Sequence, residues 1–334
     1  MVSAVIFVAT SCVSPLTGFA FWETNLAYEG ESIYNYLQVK NLSDRTILST
    51  NVLFGVQSVT MKDKGLTGMY YDTALAAPAL ADNANSALIL GMGTGTYARQ
   101  LKQYYPKMNI TGVEIDQKIT DLAGEYFDEP ADIPVTTYDG RAWLAASHDK
   151  YDVIMVDAYQ DITIPFQMSS TEFFTMVREH LNPGGVMVVN MNMISDGQGS
   201  INEALSDTIA CVFGNGNTLT ADVPNTTNRE LFAKKPGSGS EENSMQQASK
   251  ALNLRETTYE RTGSEDLEWY MEEVASRFRK VNEPDSASTI LTDDKAPVEV
   301  LGMHAIDQII ADEAGPYRQI LKDEGFGGLL RAVQ

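Results

Sequence analysis

Four short stretches of this sequence carry residue types that do chemistry, and each follows an apolar run. Gly91-Met92-Gly93-Thr94-Gly95-Thr96 follows "ALIL", Glu114-Ile115-Asp116 follows "NITGV", Asp139-Gly140 follows "IPVTTY", and Asp157-Ala158-Tyr159 follows "YDVIMV". Alternating glycines let the backbone turn tightly and approach a ligand closely, because no Cβ stands in the way. A carboxylate at the end of the next strand, Glu114, can accept both hydroxyls of a ribose diol. Asp139, one strand further on, can accept from an exocyclic amine such as that of adenine. The dinucleotide fingerprint G-x-G-x-x-G asks for glycine where Thr96 stands, and no Gly-Lys-Ser/Thr follows to cradle a phosphate. The set suits an adenosyl group without phosphates better than a polyphosphate.

The elements that must position these residues follow from periodicity. The runs "ALILG", "NITGVEI", "IPVTTYD", "YDVIMVDA" and "GVMVVNM" alternate with helical stretches near 96–105, 117–127, 141–147 and 169–181. Such alternation predicts an α/β fold with a mostly parallel sheet covered on both faces, and ligands then bind beyond the carboxyl ends of the strands. Ahead of it, "IYNYLQV", "RTILST" and "NVLFGVQSVTM" predict a small antiparallel β unit, and "GMYYDTALAAPAL" predicts a helix. Beyond Met193, "LTADV" and "RELFAKK" suggest a closing hairpin. "KKPGSGSEENSMQQASK" suggests a mobile loop near 234–250. Helices near 265–280 and 304–324 complete the pattern. The expected organisation is an apolar segment over 1–24, a β unit over 25–65 and a Rossmann-like domain over 66–334.

Composition narrows the function. Asp and Glu outnumber Lys and Arg 45 to 24 in 334 residues, a formal charge of −21. That balance repels nucleic acid and anionic lipid and attracts cations, although a solubility surface or adaptation to salt accounts for it without any polycationic substrate. Two distant cysteines, Cys12 and Cys211, imply no disulfide framework and suit a reducing, cytoplasmic compartment. His148, His180 and His304 are scattered, so neither a metal site nor a Ser-His-Asp triad is expected. Residues 1–21 carry no charge and are just long enough to cross a bilayer. They lack the basic region of a secretory signal, and Pro15 and Gly18 weaken them as a span. A membrane-proximal segment and a buried terminal segment both remain open.

From Ile33 to Met193 the chain resembles the polyamine aminopropyltransferases, the spermidine synthase family, and most of all their membrane-associated spermidine synthase-like branch. The resemblance rests on "NVLFGVQS", "MYYDTALAAPAL", "LILGMGTGTYAR", "GVEID", "YDGRAWL" and "YDVIMVDAYQDITIPFQMSSTEFFTMVREHLNPGGVMVVN", with "LTDDKAPVEVL" near the end. It implies a small N-terminal β unit and a seven-stranded sheet like that of the S-adenosylmethionine methyltransferases. It also implies decarboxylated S-adenosylmethionine as co-substrate, a diamine such as putrescine as acceptor, and no metal. Carried over by motif, Gly91, Gly93 and Gly95, with Thr94 among them, line the nucleoside. Glu114 takes the ribose, and Asp139 with Gly140 the adenine. Gln57 and Tyr71 lie near the aminopropyl arm, Tyr70 faces the amine, and Asp157 is the catalytic acid residue beside the attacking nitrogen. Apart from the motif, Tyr159 is a second tyrosine able to pack against the amine's methylenes or its cationic end. A homo-oligomer is expected.

Two departures bear on the reaction. The family's glycine loop carries an aspartate where Thr94 stands, and its second acid falls where this chain has Gln160, with Asp161 one place further. Asp293 and Asp294 either replace the lost charge or serve a turn or cap. The rival expectations are a methyltransferase or other enzyme using intact S-adenosylmethionine, and a non-catalytic, membrane-tethered binder of an adenosyl ligand or polyamine.

Overall fold

The computed structural model describes residues 20, 23–51, 55–128, 130–159, 164–192, 199–237, 253–305 and 322. Strands β1 (Leu26–Glu31), β2 (Tyr36–Asn41), β3 (Arg45–Thr50) and β4 (Ser58–Met61) form an antiparallel sheet in the order β1-β2-β3-β4. The first strand starts ahead of the alternation visible from Ile33. Its residues are mostly half-buried, so the two-residue rhythm is weak.

The larger sheet has the order β12-β10-β11-β9-β8-β5-β6-β7. Its strands are β5 (Ser86–Leu90), β6 (Asn109–Glu114), β7 (Val135–Thr137), β8 (Tyr151–Val156), β9 (Leu181–Met191), β10 (Thr218–Asp222), β11 (Arg229–Lys234) and β12 (Phe278–Lys280). β5 to β9 are parallel, and β9, β11, β10 and β12 pair antiparallel. The family resemblance implies seven strands; β12 makes an eighth. It occupies the end of the stretch expected to be one helix over 265–280. α9 (Glu265–Ser276) stops there because Phe278 turns onto Phe232, ring centroids 5.8 Å apart, and its backbone joins β10.

Alternation along the strands builds two apolar layers. Ala87, Ile89, Val153, Met155, Val186 and Val188 face one side. Leu88, Leu90, Ile154, Val156, Met187 and Val189 face the other. Each such Val, Leu, Ile or Met side chain contributes about 1.5–3 kcal/mol on burial, which is why parallel strands read as continuous apolar runs. The first layer is covered by α1 (Tyr70–Ala74), α2 (Ala76–Leu80), α3 (Thr96–Tyr104), α8 (Leu254–Thr262) and α9. The second is covered by α6 (Thr171–His180) and α7 (Ile201–Phe213), with Leu144 of α5 (Gly140–Ala146). α4 (Gln117–Tyr126) carries Ile119 and Leu122, which with Phe127 pack on Leu37, Val39 and Leu48 and dock the small sheet.

The single helix expected across 68–80 is broken at Leu75. Pro78 has no N–H to offer the Ala74 carbonyl, which accepts instead from the Tyr97 hydroxyl at 3.0 Å. α7 and α8 have no counterpart among the expected helices. The signal for α7 was present: Ser200 accepts from Glu203 N at its start, and Ile201, Ala204, Leu205 and Ile209 recur on one buried face. Within the expected terminal helix over 304–324, the described residues are 304, 305 and 322, all helical, the first two closing a helical stretch over 298–305. Most of the loop near 234–250, and nearly all of residues 1–21, lie outside the described residues. No helix among those described is long and apolar enough to cross a membrane.

Candidate active site

A cavity of about 310 Å³ opens at the carboxyl ends of β5, β6, β7 and β8, under the edge of the small sheet. Open parallel sheets bind ligands at this place. It is lined by Gln57, Tyr70, Tyr71, Gly91, Gly93, Glu114, Asp139, Gly140, Asp157 and Tyr159, ten of the residues that the sequence singles out. Thr94 and Gly95 are not among its lining. Thr94 is 0 % exposed, and its N–H donates to Ser58 Oγ at 3.3 Å. Gly95 sits behind the loop, where its φ of +80° starts α3. Asp161 and Gln160 lie outside the described residues.

The glycine loop is built for close approach. Gly91 has φ +89°, and a Cβ there would run into the backbone of Asp157. Gly93 has φ +56°, and a Cβ would meet Ser58 Oγ at 2.8 Å. Its N–H donates to Glu114 Oε2 at 2.8 Å, while Asp116 N donates to Oε1 at 3.0 Å. Burial pushes the Glu114 carboxyl up, and these backbone N–H bonds offset part of the shift. Each oxygen keeps a further lone pair for a hydroxyl donor.

Asp139 accepts from Ala142 N at 2.8 Å with Oδ1 and so caps α5, and the residue also lines the cavity. Ordinary contacts surround the place where a Gly140 Cβ would stand, the nearest Met168 Cε at 3.6 Å. No close approach demands a glycine at that position.

Both carboxylate oxygens of Asp157 are held by side chains. Tyr70 Oη donates to its Oδ2 at 2.7 Å, and Asn190 Nδ2 donates to its Oδ1 at 2.9 Å. Asn190 Oδ1 in turn accepts from Asn228 Nδ2 at 2.8 Å, which fixes the amide orientation. Burial pushes the Asp157 carboxyl up to about 7, against the lowering pull of the Asn190 and Tyr70 bonds. Tyr70 stacks beside Tyr71 with centroids 4.0 Å apart, and Tyr71 Oη donates to the Gln57 carbonyl at 2.7 Å. Both phenols are pushed up by burial and remain protonated. The Tyr159 hydroxyl bonds the Asn190 carbonyl and accepts from Asn192 N at 3.0 Å. It braces the strand end as well as lining the cavity.

Asn190 is the residue that sequence reasoning missed. It stands at the end of β9, the fifth apolar run, and inspecting that strand end like the other four would have found it. The small sheet brings Tyr34 and Asn35 to the rim, where Asn35 Nδ2 donates to Asp116 Oδ2 at 3.0 Å and Ser32 Oγ to the same oxygen at 2.5 Å. These turn residues carry no spacing signal. Asp293 does not replace charge at the cavity. It receives Arg141 Nη1 at 2.7 Å and Nη2 at 2.5 Å, and Ser170 Oγ at 2.5 Å. Its charge is spent on tying the 291–298 segment to α5 and α6.

Comparison with known proteins gives the chain its relatives. Residues 69–234 match the family described as "Spermine/spermidine synthase domain". A "Probable polyamine aminopropyl transferase" of Bifidobacterium longum (strain NCC 2705) is 99% identical over 334 residues, 100% of this chain and 75% of that protein. A "Polyamine aminopropyltransferase" of Corynebacterium efficiens is 37% identical over 131 residues, 36% of this chain and 25% of that one. The crystal structure of a probable spermidine synthase from Corynebacterium glutamicum ATCC 13032 shares the fold. Its TM-score is 0.57 at 21% identity, covering 78% of this chain and 98% of that one. On this combination of near-identity and shared domain, the chain belongs to the spermine/spermidine synthase family of polyamine aminopropyltransferases.

Proposed function

We propose that this chain transfers the aminopropyl group of decarboxylated S-adenosylmethionine to a diamine such as putrescine, giving spermidine and methylthioadenosine. The observation that carries the reading is Asp157, buried between the Tyr70 hydroxyl and the Asn190 amide at the floor of the cavity. Three acids and no Lys, Arg or His line that cavity among the described residues, so it suits a cation.

The geometry supports a division of labour. Gly91 and Gly93 admit the nucleoside, Glu114 takes the ribose hydroxyls, and Asp139 Oδ2 takes the adenine amine. Tyr71 and Gln57 flank the aminopropyl arm, and Tyr70 and Tyr159 give the amine's methylenes an aromatic wall. An ammonium has no lone pair, so the acceptor nitrogen must first lose a proton. A carboxylate with a pKa of about 7 takes it near neutral pH. The nitrogen lone pair then attacks the carbon bonded to the sulfonium. The carbon–sulfur bond breaks with its electron pair returning to sulfur, and methylthioadenosine leaves. The remaining acceleration comes from holding nitrogen, carbon and sulfur in line.

Calorimetry with the two donors tests this reading. Decarboxylated S-adenosylmethionine is expected to bind at least about tenfold more tightly than the intact donor, a difference of ~1.4 kcal/mol. The intact donor adds a carboxylate to an already acidic cavity. Tighter binding of the intact donor would move the chain to the methyltransferase reading.

A further inference from the structure

Glu230 is a buried carboxylate with no assigned task. It lies on β11 and is 0 % exposed, and neither carboxylate oxygen has a hydrogen-bond partner among the described residues. Such a group is costly unless something charged or polar meets it during the protein's working cycle.

Its position shows what that is. Glu230 is directly opposite Asn190 in the β11–β9 ladder. Residues directly opposed in an antiparallel pair project from the same face with their Cβ atoms about 4.5–5.5 Å apart. The Asn190 amide holds Asp157 at 2.9 Å, so the two acids flank one asparagine. α1, which carries Tyr70 and Tyr71, packs over β9 and β11 above this point. The ionisable groups that act on Glu230 are Asp157, Tyr97 and Tyr159, all of them acids. No basic side chain acts on it among the described residues, so a bound cation is the counter-charge that fits.

We propose that Glu230 is a further acid behind the wall of the amine site, the counter-charge that holds a polycationic acceptor once its ammonium stands beside Asp157. The inference rests on the aminopropyl-transfer reading. It accounts for a charge that the sequence lacks at Thr94 and Gln160. Burial and the Asp157 charge push its pKa well up, which disfavours the charged form until a cation is bound. An ammonium beside Asp157 reverses that balance, and Glu230 becomes the fixed counter-charge. The residue acts through the field at the site and the Asn190–Asp157 pair rather than on the reacting atoms.

Two neutral variants test this, Glu230→Gln, which keeps the shape, and Glu230→Leu, which removes every unpartnered polar atom and suits the apolar neighbour Phe232. The readouts are the Kd for putrescine, the Kd for methylthioadenosine, and the split between KM for the amine and kcat. The expected result is a putrescine Kd and KM raised about tenfold or more in both variants. The methylthioadenosine Kd should stay within about twofold, and kcat at saturating amine close to wild type. Unchanged putrescine affinity in either folded variant overturns the proposal. So does a parallel loss of methylthioadenosine affinity, which would mark a structural role. Wild-type protein that neither binds putrescine nor turns over would instead refute the aminopropyl-transfer reading.

Discussion

Tyr70 and Asp157 stand 87 residues apart in the chain, yet the tyrosine hydroxyl donates to Asp157 Oδ2 at 2.7 Å. This bond joins the first helix after the small sheet to the fourth strand end of the large one. It also favours the charged form of Asp157, opposing the desolvation that raises its pKa to about 7.

Tyr70→Phe removes that opposition. The acid limb of kcat/KM, set by ionisation of Asp157, is expected to move up by about one pH unit, equivalent to ~1.4 kcal/mol. Activity at pH 6.5 then falls several-fold, while activity well above the limb changes less. A pH–rate profile of the two proteins checks this, and an unshifted limb would mean that Asp157 is not the group titrating.

Asp157→Asn separates catalysis from stability. Loss of the base is expected to lower kcat by about 10²–10⁴-fold. The same change stabilises the fold above pH 7. The sign follows from linkage: the folded-state pKa lies above the unfolded value, so the folded protein binds more protons and wild type loses stability as pH rises from about 4 to 7. Melting curves at pH 8 should place the variant above wild type, with the gap closing as the pH falls through that window.

Glu114→Gln tests the donor end alone. Its two oxygens hold Gly93 N and Asp116 N, and an amide can accept at only one of them. Methylthioadenosine affinity is expected to fall about tenfold or more with putrescine affinity little changed, as read by calorimetry.

Gly91→Ala and Gly124→Ala are expected to act in opposite directions. At Gly91 the positive φ and the Asp157 backbone leave no room, a cost of about 1–3 kcal/mol together with lost activity. Gly124 lies in α4 with nothing within 4 Å of an added Cβ, so alanine should stabilise by about 0.5–1 kcal/mol. Denaturant midpoints measure both.

Asp293→Asn separates a structural acid from a catalytic one. Arg141 and Ser170 hold this carboxyl below its usual range, so its contribution is present above the unfolded pKa and disappears as pH falls through the folded one. Asp293 is partly exposed, and the loss at neutral pH is expected to be about 1 kcal/mol or less. The amine KM should be unchanged; a large rise in KM would return Asp293 to the site.

Much of this was legible in the sequence because strand ends and glycines carry positional meaning. Gly91, Glu114, Asp139 and Asp157 each terminate an apolar run, and parallel pairing brings such ends to one edge. Asn190 ends a fifth run, but an amide carries less chemical signal than a carboxylate. Glu230 lies within an antiparallel strand, where only the register against Asn190 shows its neighbour. Thr94 is the counter-case: its position in the glycine loop suggested contact with the donor, but the turn buries its side chain behind the cavity wall. For Asp293 the sequence leaves replacement charge and a turn or cap both open, because its partner Arg141 stands 152 residues away. Strand β12 and the break at Leu75 depend on tertiary partners, Phe232 and Tyr97, that no local window contains.

The central claim is that an acidic cavity carries an aminopropyl group from an adenosyl donor to an amine. Mass-spectrometric product analysis after incubation with decarboxylated S-adenosylmethionine and putrescine tests it most directly. The account predicts methylthioadenosine and spermidine in equal amounts, both abolished in Asp157→Asn. Absence of both products from folded wild-type protein, or a methylated amine formed from intact S-adenosylmethionine instead, would contradict it.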